Sequence, residues 1–436
     1  MILKNNYNKI NGYILLKGGR IYDSYINLNT VSDILIENGT IIKIKKNISA
    51  KSHYHIIDCK KKIITNGFTD LHAHFREPGY EFKETIKSGA DSAFYGGYTR
   101  VCTMPNTNPV IDNPELIQFV IKQSQNTPIY IHPIGSITKG QKGIELSEIG
   151  EMVSKGAIAI SDDGLPVSNA QILRIALEYA KMYDIPVINH AEDISLINNG
   201  LIHEGSSSLR LGLPGNPGIS ESSMVYRDIS IARYVDGKLH IPHVSSKESL
   251  EVIKDFKSKG IHVTAEVTPH HLCLNDDILL DYNTNAKVSP PIRSKENQQA
   301  LLNAVKDGTI DCIATDHAPH AIENKEKDFV NASCGMIGLE SAFGLVNKTL
   351  SNADIPLESI IKLFTINPSQ IFNIFPSVIK EGNLAELNII DPDLEWVFKE
   401  ENIRSKSHNT PIIDMKLKGK VLITINKGFI SNRKLS

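Results

Sequence analysis

Two histidines separated by one residue are the clearest sign of chemistry in this sequence. His72 and His74 follow a short apolar run, and in an extended strand residues i and i+2 project from the same face. Both imidazoles can therefore converge on one metal ion, while Ala73 faces away. An isolated pair of this kind also occurs in solvated loops, so the pair alone leaves a metal site and two exposed side chains open.

Further residues of the same chemistry lie where other apolar runs end. They are two adjacent aspartates, two single histidines and an Asp-His pair: Asp162 and Asp163, His190, His243, and Asp316 and His317. Imidazole nitrogen combined with carboxylate oxygen suits zinc, manganese or iron better than calcium or magnesium. Two ions about 3.5 to 4 Å apart, bridged by one carboxylate and one hydroxide, would use this ligand set fully. We therefore expect a two-metal hydrolytic centre.

The apolar runs themselves predict the scaffold that positions these residues. They alternate with segments of helical periodicity and cover residues 68–71, 99–103, 129–132, 157–160, 186–189, 238–242, 262–267 and 310–314. Alternation of this kind predicts βα units around a parallel sheet, and eight units predict a TIM-like (β/α)8 barrel. Because the carboxyl ends of the strands open on one face of such a barrel, the histidines and aspartates should meet in one pocket.

Two of the intervening segments predict helices with defined apolar sides. Residues 247–258 place Leu250, Ile253 and Phe256 on one side, and Gly260 should end that helix. Residues 170–183 predict another helix, whose apolar side would consist of Ile172, Ile175, Leu177, Ala180 and Met182.

The two ends of the chain have a different texture from the middle. Short β segments occur at residues 13–16, 31–36 and 41–44, and again at residues 384–390 and 418–425. We predict that the ends pair to form one small β-sandwich domain from residues 1–63 and 383–436. Residues 64–382 would then form the barrel.

Composition excludes several classes of protein. Of 436 residues, 41% are hydrophobic and 22% are charged, as in a folded globular chain. The net charge of −2, without a long basic run, argues against a nucleic-acid or membrane-surface partner. No spanning helix or secretion-signal core is recognisable. The five cysteines contain no CxxC pair, which suits a reducing compartment. We expect a cytoplasmic protein.

Two longer motifs make the chain resemble a known family. Residues 70–79, DLHAHFREPG, are similar to the first dihydroorotase signature of the amidohydrolase superfamily, and residues 314–320, ATDHAPH, are similar to the second. Between them, MPNT at 104–107, SDDG at 161–164, NHAED at 189–193 and HVS at 243–245 follow the order of the family. The resemblance covers essentially the whole chain and is closest to the bacterial type I enzymes.

The resemblance implies a metal-ligand set with two zinc ions per subunit. His72, His74 and Asp316 would bind one zinc, His190 and His243 would bind the second, and Asp163 would bridge them together with hydroxide. Asp162 is then a neighbour that binds no metal, and the choice between the two aspartates depends on the family alone. The resemblance also gives Asp316 the role of general acid and base.

The resemblance further implies a set of substrate contacts. Arg76, Asn106 and His320 would hold a substrate carboxylate, and His74 is counted among the substrate contacts too. Arginine grips a carboxylate with two parallel hydrogen bonds, and residue 76 would continue the alternation of 72 and 74 into the pocket.

Two further predicted substrate contacts depart from the family pattern. Ser289 stands where the family usually has asparagine, so contact there should be weaker or mediated by water. Cys334 and Gly335 stand where the family often has proline and a larger apolar residue, and we expect them to serve through their backbone. The charged segment 321–332 can be a lid over the pocket or a plain solvated loop.

The activity implied by the resemblance is the reversible cyclisation of N-carbamoyl-L-aspartate to (S)-dihydroorotate and water, in de novo pyrimidine (UMP) biosynthesis. A homodimer or higher homo-oligomer is expected, and aspartate transcarbamoylase is a candidate partner. One alternative is another cyclic amidase: a dihydropyrimidinase, hydantoinase or allantoinase. Those enzymes usually carry a bridging lysine and lack an equivalent of Arg76. A second alternative is a non-catalytic dihydroorotase-like scaffold for aspartate transcarbamoylase, but such proteins typically lose metal ligands.

Overall fold

The computed structural model of the protein describes residues 7–431. Its first part is a run of strands: β1 (Tyr7–Lys9), β2 (Tyr13–Asp23), β3 (Leu28–Glu37), β4 (Thr40–Lys45), β5 (Tyr54–Asp58) and β6 (Ile63–Asn66). Strands β2, β3 and β4 pair antiparallel, and β5 and β6 both lie parallel to β2. The turn between β3 and β4 is Asn38-Gly39, and both residues adopt the positive φ that a tight hairpin needs.

The middle of the chain contains shorter, parallel strands. They are β7 (Phe68–Ala73), β8 (Tyr98–Thr103), β9 (Tyr130–Pro133), β10 (Ile160–Ser161), β11 (Val187–Ile188), β12 (Ile202–His203), β13 (Gly215–Asn216), β14 (Leu239–Ile241), β15 (Thr264–Val267) and β16 (Cys312–Ile313). Strands β12 and β13 form a separate pair, and each of the other eight overlaps one of the predicted apolar runs.

These eight strands form two parallel sheets with adjoining edges. One sheet has the order β7-β8-β9, and the other has the order β10-β11-β14-β15-β16. An isolated parallel bridge joins Gly135 to Ile160, and another joins Ala73 to His317. The carboxyl ends of β7 and β16 therefore lie side by side, where the residues of both long motifs begin.

Helices occupy most of the connections between the parallel strands. They are α1 (Ile86–Gly96), α2 (Pro114–Ser124), α3 (Ile149–Ser154), α4 (Ala170–Met182), α5 (Ile194–Ile197), α6 (Ser206–Leu211), α7 (Gly218–Val235), α8 (Lys247–Ser258), α9 (Pro269–Cys273), α10 (Lys295–Asp307), α11 (Ile322–Lys325), α12 (Ala342–Asn352), α13 (Leu357–Phe364) and α14 (Ile366–Phe372). Short 3-10 helices lie at Lys139–Gln141, Asp276–Leu279, Thr284–Ala286 and Glu400–Asn402. Among the helices within residues 7–431, none is long and apolar enough to cross a membrane.

The two helices predicted in detail both form, but one buries a different side. Helix α8 begins at the Ser246 N-cap and buries the predicted Leu250, Ile253 and Phe256. Helix α4 buries Leu173, Ala176, Leu177 and Ala180. The predicted side was wrong for Ile175 and Met182, which are exposed. The buried set follows the i, i+3, i+4, i+7 spacing of a helical face, which the predicted set did not.

Strands from the end of the chain complete the first sheet. They are β17 (Leu387–Val397), β18 (Lys416–Asn426) and β19 (Phe429–Ser431). Strand β17 pairs antiparallel with β6, so that Leu387 lies opposite Asn66 and Ile390 opposite Ile63. The sheet order is β1-β19-β18-β17-β6-β2-β3-β4, with β5 beside β2. Apolar side chains from both ends form one buried cluster, which includes Ile14, Ile34, Leu387, Ile389 and Ile425.

Hydrogen bonds tie this sheet to the start of β8. The buried Glu386 carboxylate accepts from Arg100 Nε and from Thr99 Oγ1, both at 2.9 Å. Beside it, the Asn388 side chain donates to the carbonyl of Gly97 at 2.7 Å. The terminal sheet therefore packs at the amino ends of the parallel strands, away from the carboxyl ends that carry the histidines and aspartates.

Candidate active site

Asp163 stands between two pairs of histidines. Its Oδ2 atom lies 3.3 Å from His72 Nε2 and 3.5 Å from His74 Nε2. Its Oδ1 atom lies 3.2 Å from His243 Nε2 and 3.5 Å from His190 Nδ1. All of these side chains are buried, and each pair can hold an ion together with the carboxylate oxygen that faces it. One carboxylate is thus shared by two adjacent candidate metal positions.

Asp316 joins the first of these pairs. Its Oδ1 atom lies 3.0 Å from His74 Nε2 and 3.6 Å from His72 Nε2. Burial alone would raise the pKa of this carboxyl group, but its contacts, of which the His74 hydrogen bond is the largest, hold it below its usual value. The structure therefore brings together all six residues predicted as metal ligands: His72, His74, Asp163, His190, His243 and Asp316.

His72 shows that this cluster suits a cation. Its Nδ1 atom lies 2.9 Å from Glu266 Oε1, so Nδ1 is the nitrogen that donates. Burial raises the pKa of Glu266, but its contacts with His240 and His72 lower it to about 2, so the carboxylate is charged. His72 Nε2 is then a buried lone pair without a hydrogen-bond partner among the described residues. A metal ion satisfies such a lone pair, and the second nitrogen bonded to a carboxylate is typical of metal-binding histidines.

Glu192 orients His190 in the same way. His190 Nε2 donates to Glu192 Oε2 at 2.8 Å, which leaves Nδ1 facing Asp163. The Ser289 hydroxyl donates to the same Glu192 oxygen at 2.7 Å, and Asn216 donates to Oε1 at 2.7 Å. Ser289, predicted as a substrate contact, therefore has its hydroxyl engaged by Glu192 in this structure.

The geometry separates the two adjacent aspartates, which the sequence could not rank. Asp162 Oδ1 accepts from the backbone N–H groups of Ile137 and Thr138, at 2.8 and 3.0 Å. Its Oδ2 atom accepts from the Thr138 hydroxyl. Asp162 thus holds a loop, while Asp163 faces the histidines.

Arg76 reaches the site by a route that differs from the predicted one. Strand β7 ends at Ala73, so the alternation of 72 and 74 does not extend to residue 76. Instead the backbone of Arg76 turns into the left-handed region, with φ +63°. Non-glycine residues rarely adopt this conformation, and it often marks functional sites. The buried guanidinium donates from Nε to the Pro319 carbonyl at 3.2 Å and lies 3.4 Å from His320 Nε2.

The other predicted carboxylate contacts surround the same place. His74 Nδ1 lies 2.8 Å from Asn106 Oδ1, a contact that does not use the two donors of the amide nitrogen. Burial, together with the charges of Arg76, Lys83 and Lys325, lowers the pKa of His320 to about 2, so its imidazole is neutral. A cavity of about 920 Å³ opens beside His320.

Cys334 and Gly335 lie against His320. Gly335 has φ +131°, and a Cβ atom there would lie 3.0 Å from His320 Cδ2 and 2.8 Å from Ala318 Cβ. Only glycine fits this close approach. The preceding segment 321–332 is neither fully solvated nor detached, because it contains α11 and buries Lys325 and Phe329.

Sequence reasoning missed the carboxylates that orient the histidines. Glu192 follows His190 by two residues, the same spacing that identified His72 and His74. Glu266 is an acidic residue inside an apolar run, which is a signal for a buried and paired carboxylate. Lys287 and Lys325 gave no local signal, because their partners are backbone carbonyls from other parts of the chain.

Comparisons with known proteins agree with these motifs. A family model described as Dihydro-orotase-like matches residues 61–249. The chain is 42% identical over 419 residues to a dihydroorotase of Syntrophus aciditrophicus (strain SB), covering 96% of this chain and 98% of the relative. It is 45% identical over 418 residues to a dihydroorotase of Endomicrobium trichonymphae, covering 95% of this chain and 98% of the relative.

Solved structures of similar fold include two hydantoinases. The L-hydantoinase (dihydropyrimidinase) of Arthrobacter aurescens superposes with a TM-score of 0.84 at 23% identity, covering 97% of each chain. The D-hydantoinase (dihydropyrimidinase) of Thermus sp. superposes with a TM-score of 0.81 at 21% identity, covering 96% of this chain and 95% of that chain. At this level of identity the similarity concerns the fold, which is mixed α/β with a β-rich part.

Proposed function

The chain belongs to the dihydroorotase family, and from that premise we propose that it catalyses the reversible cyclisation of N-carbamoyl-L-aspartate to (S)-dihydroorotate and water. One observation supports this proposal above all: the buried Arg76 lies beside the four histidines that share the Asp163 carboxylate. The cluster suits hydrolysis of a ring amide, and the arginine suits a ring that bears a carboxylate. This activity belongs to pyrimidine biosynthesis.

The proposed scaffold is a TIM-like (β/α)8 barrel formed by residues 64–382. Support comes from the parallel pairing of the eight strands and from the two bridges at the sheet edges, Gly135 with Ile160 and Ala73 with His317. Residues 1–63 and 383–436, of which 7–63 and 383–431 are described, would form the accompanying β domain. The pairing of β6 with β17 joins the two ends, so residues 64–66 would belong to this β domain instead of the barrel.

The proposed cofactor is a pair of zinc ions. His72, His74 and Asp316 would hold one, His190 and His243 would hold the other, and Asp163 would bind both through its two oxygens. When bound, the ions supply Lewis-acid polarisation of the amide carbonyl and lower the pKa of water enough to give a nucleophile near neutral pH. Nitrogen and oxygen ligands in this combination suit zinc.

Asp316 is the proposed general acid and base of the reaction. In ring opening it would accept the proton of the attacking water and return it to the ring nitrogen that leaves. The hydrogen bond with His74 holds the pKa of Asp316 low, so the carboxylate is charged and ready to accept a proton. In cyclisation the same group acts in the reverse order, as microscopic reversibility requires.

Arg76, Asn106 and His320 would hold the substrate carboxylate. Burial lowers the pKa of Arg76 to about 10, so the guanidinium is still charged at neutral pH. Within residues 7–431 its contacts are the Pro319 carbonyl and His320, and the charges of Asp316 and Asp163 act on it from beyond ion-pair distance, so a substrate carboxylate would be its direct partner. Because His320 is a neutral imidazole, it would donate a hydrogen bond to the substrate carboxylate, and the positive charge there would come from Arg76.

The buried Arg76 charge also favours dihydroorotate over the substrates of related cyclic amidases. A hydantoin or dihydrouracil ring without a carboxylate would leave the Arg76 charge buried and unpaired, which costs free energy. A non-catalytic scaffold is disfavoured because the cluster retains a complete ligand set. Aspartate transcarbamoylase as a partner, a homo-oligomeric state and a cytoplasmic location stay predictions of the sequence.

The Arg76→Gln variant tests the proposed substrate. We expect the KM for dihydroorotate to rise by about 10- to 150-fold, the effect of losing a hydrogen bond between charged groups. Arg174→Gln, on the exposed face of α4, is the matched control and should leave KM unchanged. Steady-state rates on dihydroorotate, dihydrouracil and hydantoin provide the measurement. Equal turnover of all three rings by the wild type would contradict the proposal.

A further inference from the structure

Two buried lysines next to the site form no ion pair with a carboxylate of the described residues. The residues Lys287 and Lys325 are each 4% exposed. Within residues 7–431, the ion pairs closer than 4.0 Å include neither of them. Burying an ammonium group without a counter-charge is costly unless hydrogen bonds or a ligand compensate it. The proposed reaction assigns no role to either side chain.

Backbone carbonyl groups surround both ammonium groups. Lys325 Nζ donates to the carbonyls of Ser333 at 2.7 Å and Gly335 at 3.0 Å, and it lies 3.5 Å from the carbonyl of Lys287. Lys287 Nζ donates to the carbonyls of three residues at 2.7 to 2.8 Å: Phe329, Val330 and Ala332. The two lysines therefore fasten the segment from 329 to 335 at five carbonyl groups.

The fastened segment lies directly against the carboxylate pocket. The Gly335 carbonyl that Lys325 binds also accepts from Asn409 Nδ2 at 3.0 Å. Asn409 Oδ1 in turn accepts from the backbone N–H of His320 at 3.0 Å. The backbone N–H of Gly335 donates to the Lys287 carbonyl at 2.9 Å. Lys325, Gly335, Asn409 and His320 are thus consecutive members of one hydrogen-bond network.

The charge of Lys325 reaches this pocket too. It is one of three cations, with Arg76 and Lys83, whose repulsion lowers the pKa of His320. All three charges act on His320, and within residues 7–431 no acidic side chain forms an ion pair with Arg76. Three cations therefore act on this pocket and would attract an anionic ligand, although the charges of Asp316 and Asp163 also reach Arg76.

We propose that Lys325, supported by Lys287, is a positioning residue of the carboxylate pocket and raises its affinity for anionic substrates. Lys325 holds residues 333–335 against His320 and adds positive charge behind them. The identity of the anion, a ring or open-chain carboxylate, rests on the proposed function.

The protonation state of Lys325 gives a second readout. Burial and the nearby Lys287 charge lower the pKa of Lys325 to about 8, while Cys334 acts in the opposite direction. The titratable groups that face Lys325 are Lys287, Cys334 and His320. Above pH 8 the amine loses its charge and one of its three donors, so the KM for an anionic substrate should rise.

The test compares Lys325→Gln with Lys325→Arg and with Lys327→Gln, a control on the exposed side of the same segment. We expect Lys325→Gln to raise the KM for dihydroorotate by about 10- to 100-fold, while kcat changes less than about threefold. Lys325→Arg should recover part of the affinity, and its KM should stay flat from pH 7 to pH 9 because guanidinium does not titrate there. Lys327→Gln should match the wild type.

Several results would overturn this inference. A folded Lys325→Gln enzyme with the same KM as the wild type would contradict the inference. So would a Lys325→Gln enzyme in which kcat and kcat/KM fall by the same factor. If Lys325→Gln does not fold, the pH profile of the wild type decides, and a KM that is constant from pH 7 to pH 9 contradicts the inference. If the wild type opens dihydrouracil but not dihydroorotate, the proposed function fails first. A wild type that opens dihydroorotate normally, with an unchanged Lys325→Gln, refutes only the role of Lys325.

Discussion

At the scale of single residues, the two oxygens of Asp163 organise the site, because each faces a different pair of histidines. Asp162, its neighbour in sequence, binds the backbone of Ile137 and Thr138 instead. Two adjacent carboxylates thus have separate tasks, and substituting each in turn should separate metal binding from loop stability.

Asp163→Asn should lose metal and activity together. An amide keeps one oxygen acceptor and has no charge, so it cannot serve both histidine pairs. We expect the variant to bind one ion or fewer, and we expect activity to fall more than about 100-fold, since even residues that only orient ligands change metal affinity or activity by 10- to 100-fold. Elemental analysis with steady-state rates provides the measurement. Asp162→Asn should retain both ions, and an Asp163→Asn enzyme with two ions and full turnover would refute the shared-carboxylate account.

Glu192→Gln and Ser289→Ala test how His190 is oriented. Because Glu192 binds the ring nitrogen that faces away from Asp163, its loss should weaken metal affinity by about 10- to 100-fold. Ser289→Ala removes one hydrogen bond to Glu192 and should weaken metal affinity by about 2- to 10-fold, with an unchanged KM. Competition with a chromophoric chelator measures the affinity. A change in KM alone would instead make Ser289 a substrate contact.

The sequence could predict the residue types of the site better than their orientation. Period-two alternation predicted that His72 and His74 converge, and the structure places both beside Asp163, with His72 in β7 and His74 one residue beyond its end. The same rule failed for Arg76, whose backbone leaves the strand and turns through a positive φ. It also could not rank Asp162 and Asp163, since their orientation depends on contacts with Thr138 and with His243, which are distant in sequence.

At the scale of elements, the ends of β7 and β16 are joined by one carboxylate. Asp70 Oδ1 accepts from the backbone N–H of Thr315 at 2.9 Å, and Oδ2 accepts from the Thr315 hydroxyl at 2.5 Å. Burial raises the pKa of Asp70 to about 7, although these hydrogen bonds oppose the shift. The two segments that contain the proposed metal ligands therefore both depend on Asp70, whose pKa burial raises toward neutral pH.

Asp70→Asn should change how stability depends on pH. The pKa of Asp70 is raised in the folded state, so its proton stabilises the fold at low pH and this stabilisation is lost as the pH rises through 7. Between pH 5 and pH 8 the free energy of unfolding of the wild type should fall by about 3 kcal/mol more than that of Asp70→Asn, because asparagine does not titrate. Thermal unfolding at both values measures this difference. Asp281→Asn, on the surface, is the control, and parallel pH profiles for wild type and Asp70→Asn would contradict the prediction.

The strands were easier to predict than the helix faces. All eight apolar runs overlap observed parallel strands, because a strand buried on both sides leaves a continuous apolar signal. Helix α4 has apolar residues around much of its circumference, and the prediction included Ile175 and Met182, which the structure leaves exposed. Which face is buried is decided by the neighbouring helix, whose position the local sequence does not contain.

At the scale of the whole molecule, the two ends of the chain share one sheet and one apolar cluster. Composition could predict that both ends are β-rich, and their similarity suggested pairing. The order of the strands and the opposition of Leu387 and Asn66 could not be predicted, because register depends on contacts between segments more than 300 residues apart.

Ile389→Ala should destabilise the entire protein without altering the site. Ile389 is 1% exposed and packs in the cluster formed by both ends, so its truncation leaves a cavity that costs about 2 to 5 kcal/mol. Leu394→Ala, on the exposed part of β17, is the matched control and should cost less than about 1 kcal/mol. Denaturant unfolding of the metal-loaded enzymes compares the two. Equal effects would argue against a shared core.

One titration of purified protein tests the two-metal site and its carboxylate selectivity together: zinc bound per chain is measured, and ring-opening rates on dihydroorotate, dihydrouracil, hydantoin and allantoin are measured at each zinc content. We expect two ions per chain, and a rate on dihydroorotate that rises with the second ion and exceeds the other rates. Full activity with one ion, or a preference for a ring without a carboxylate, would contradict this expectation.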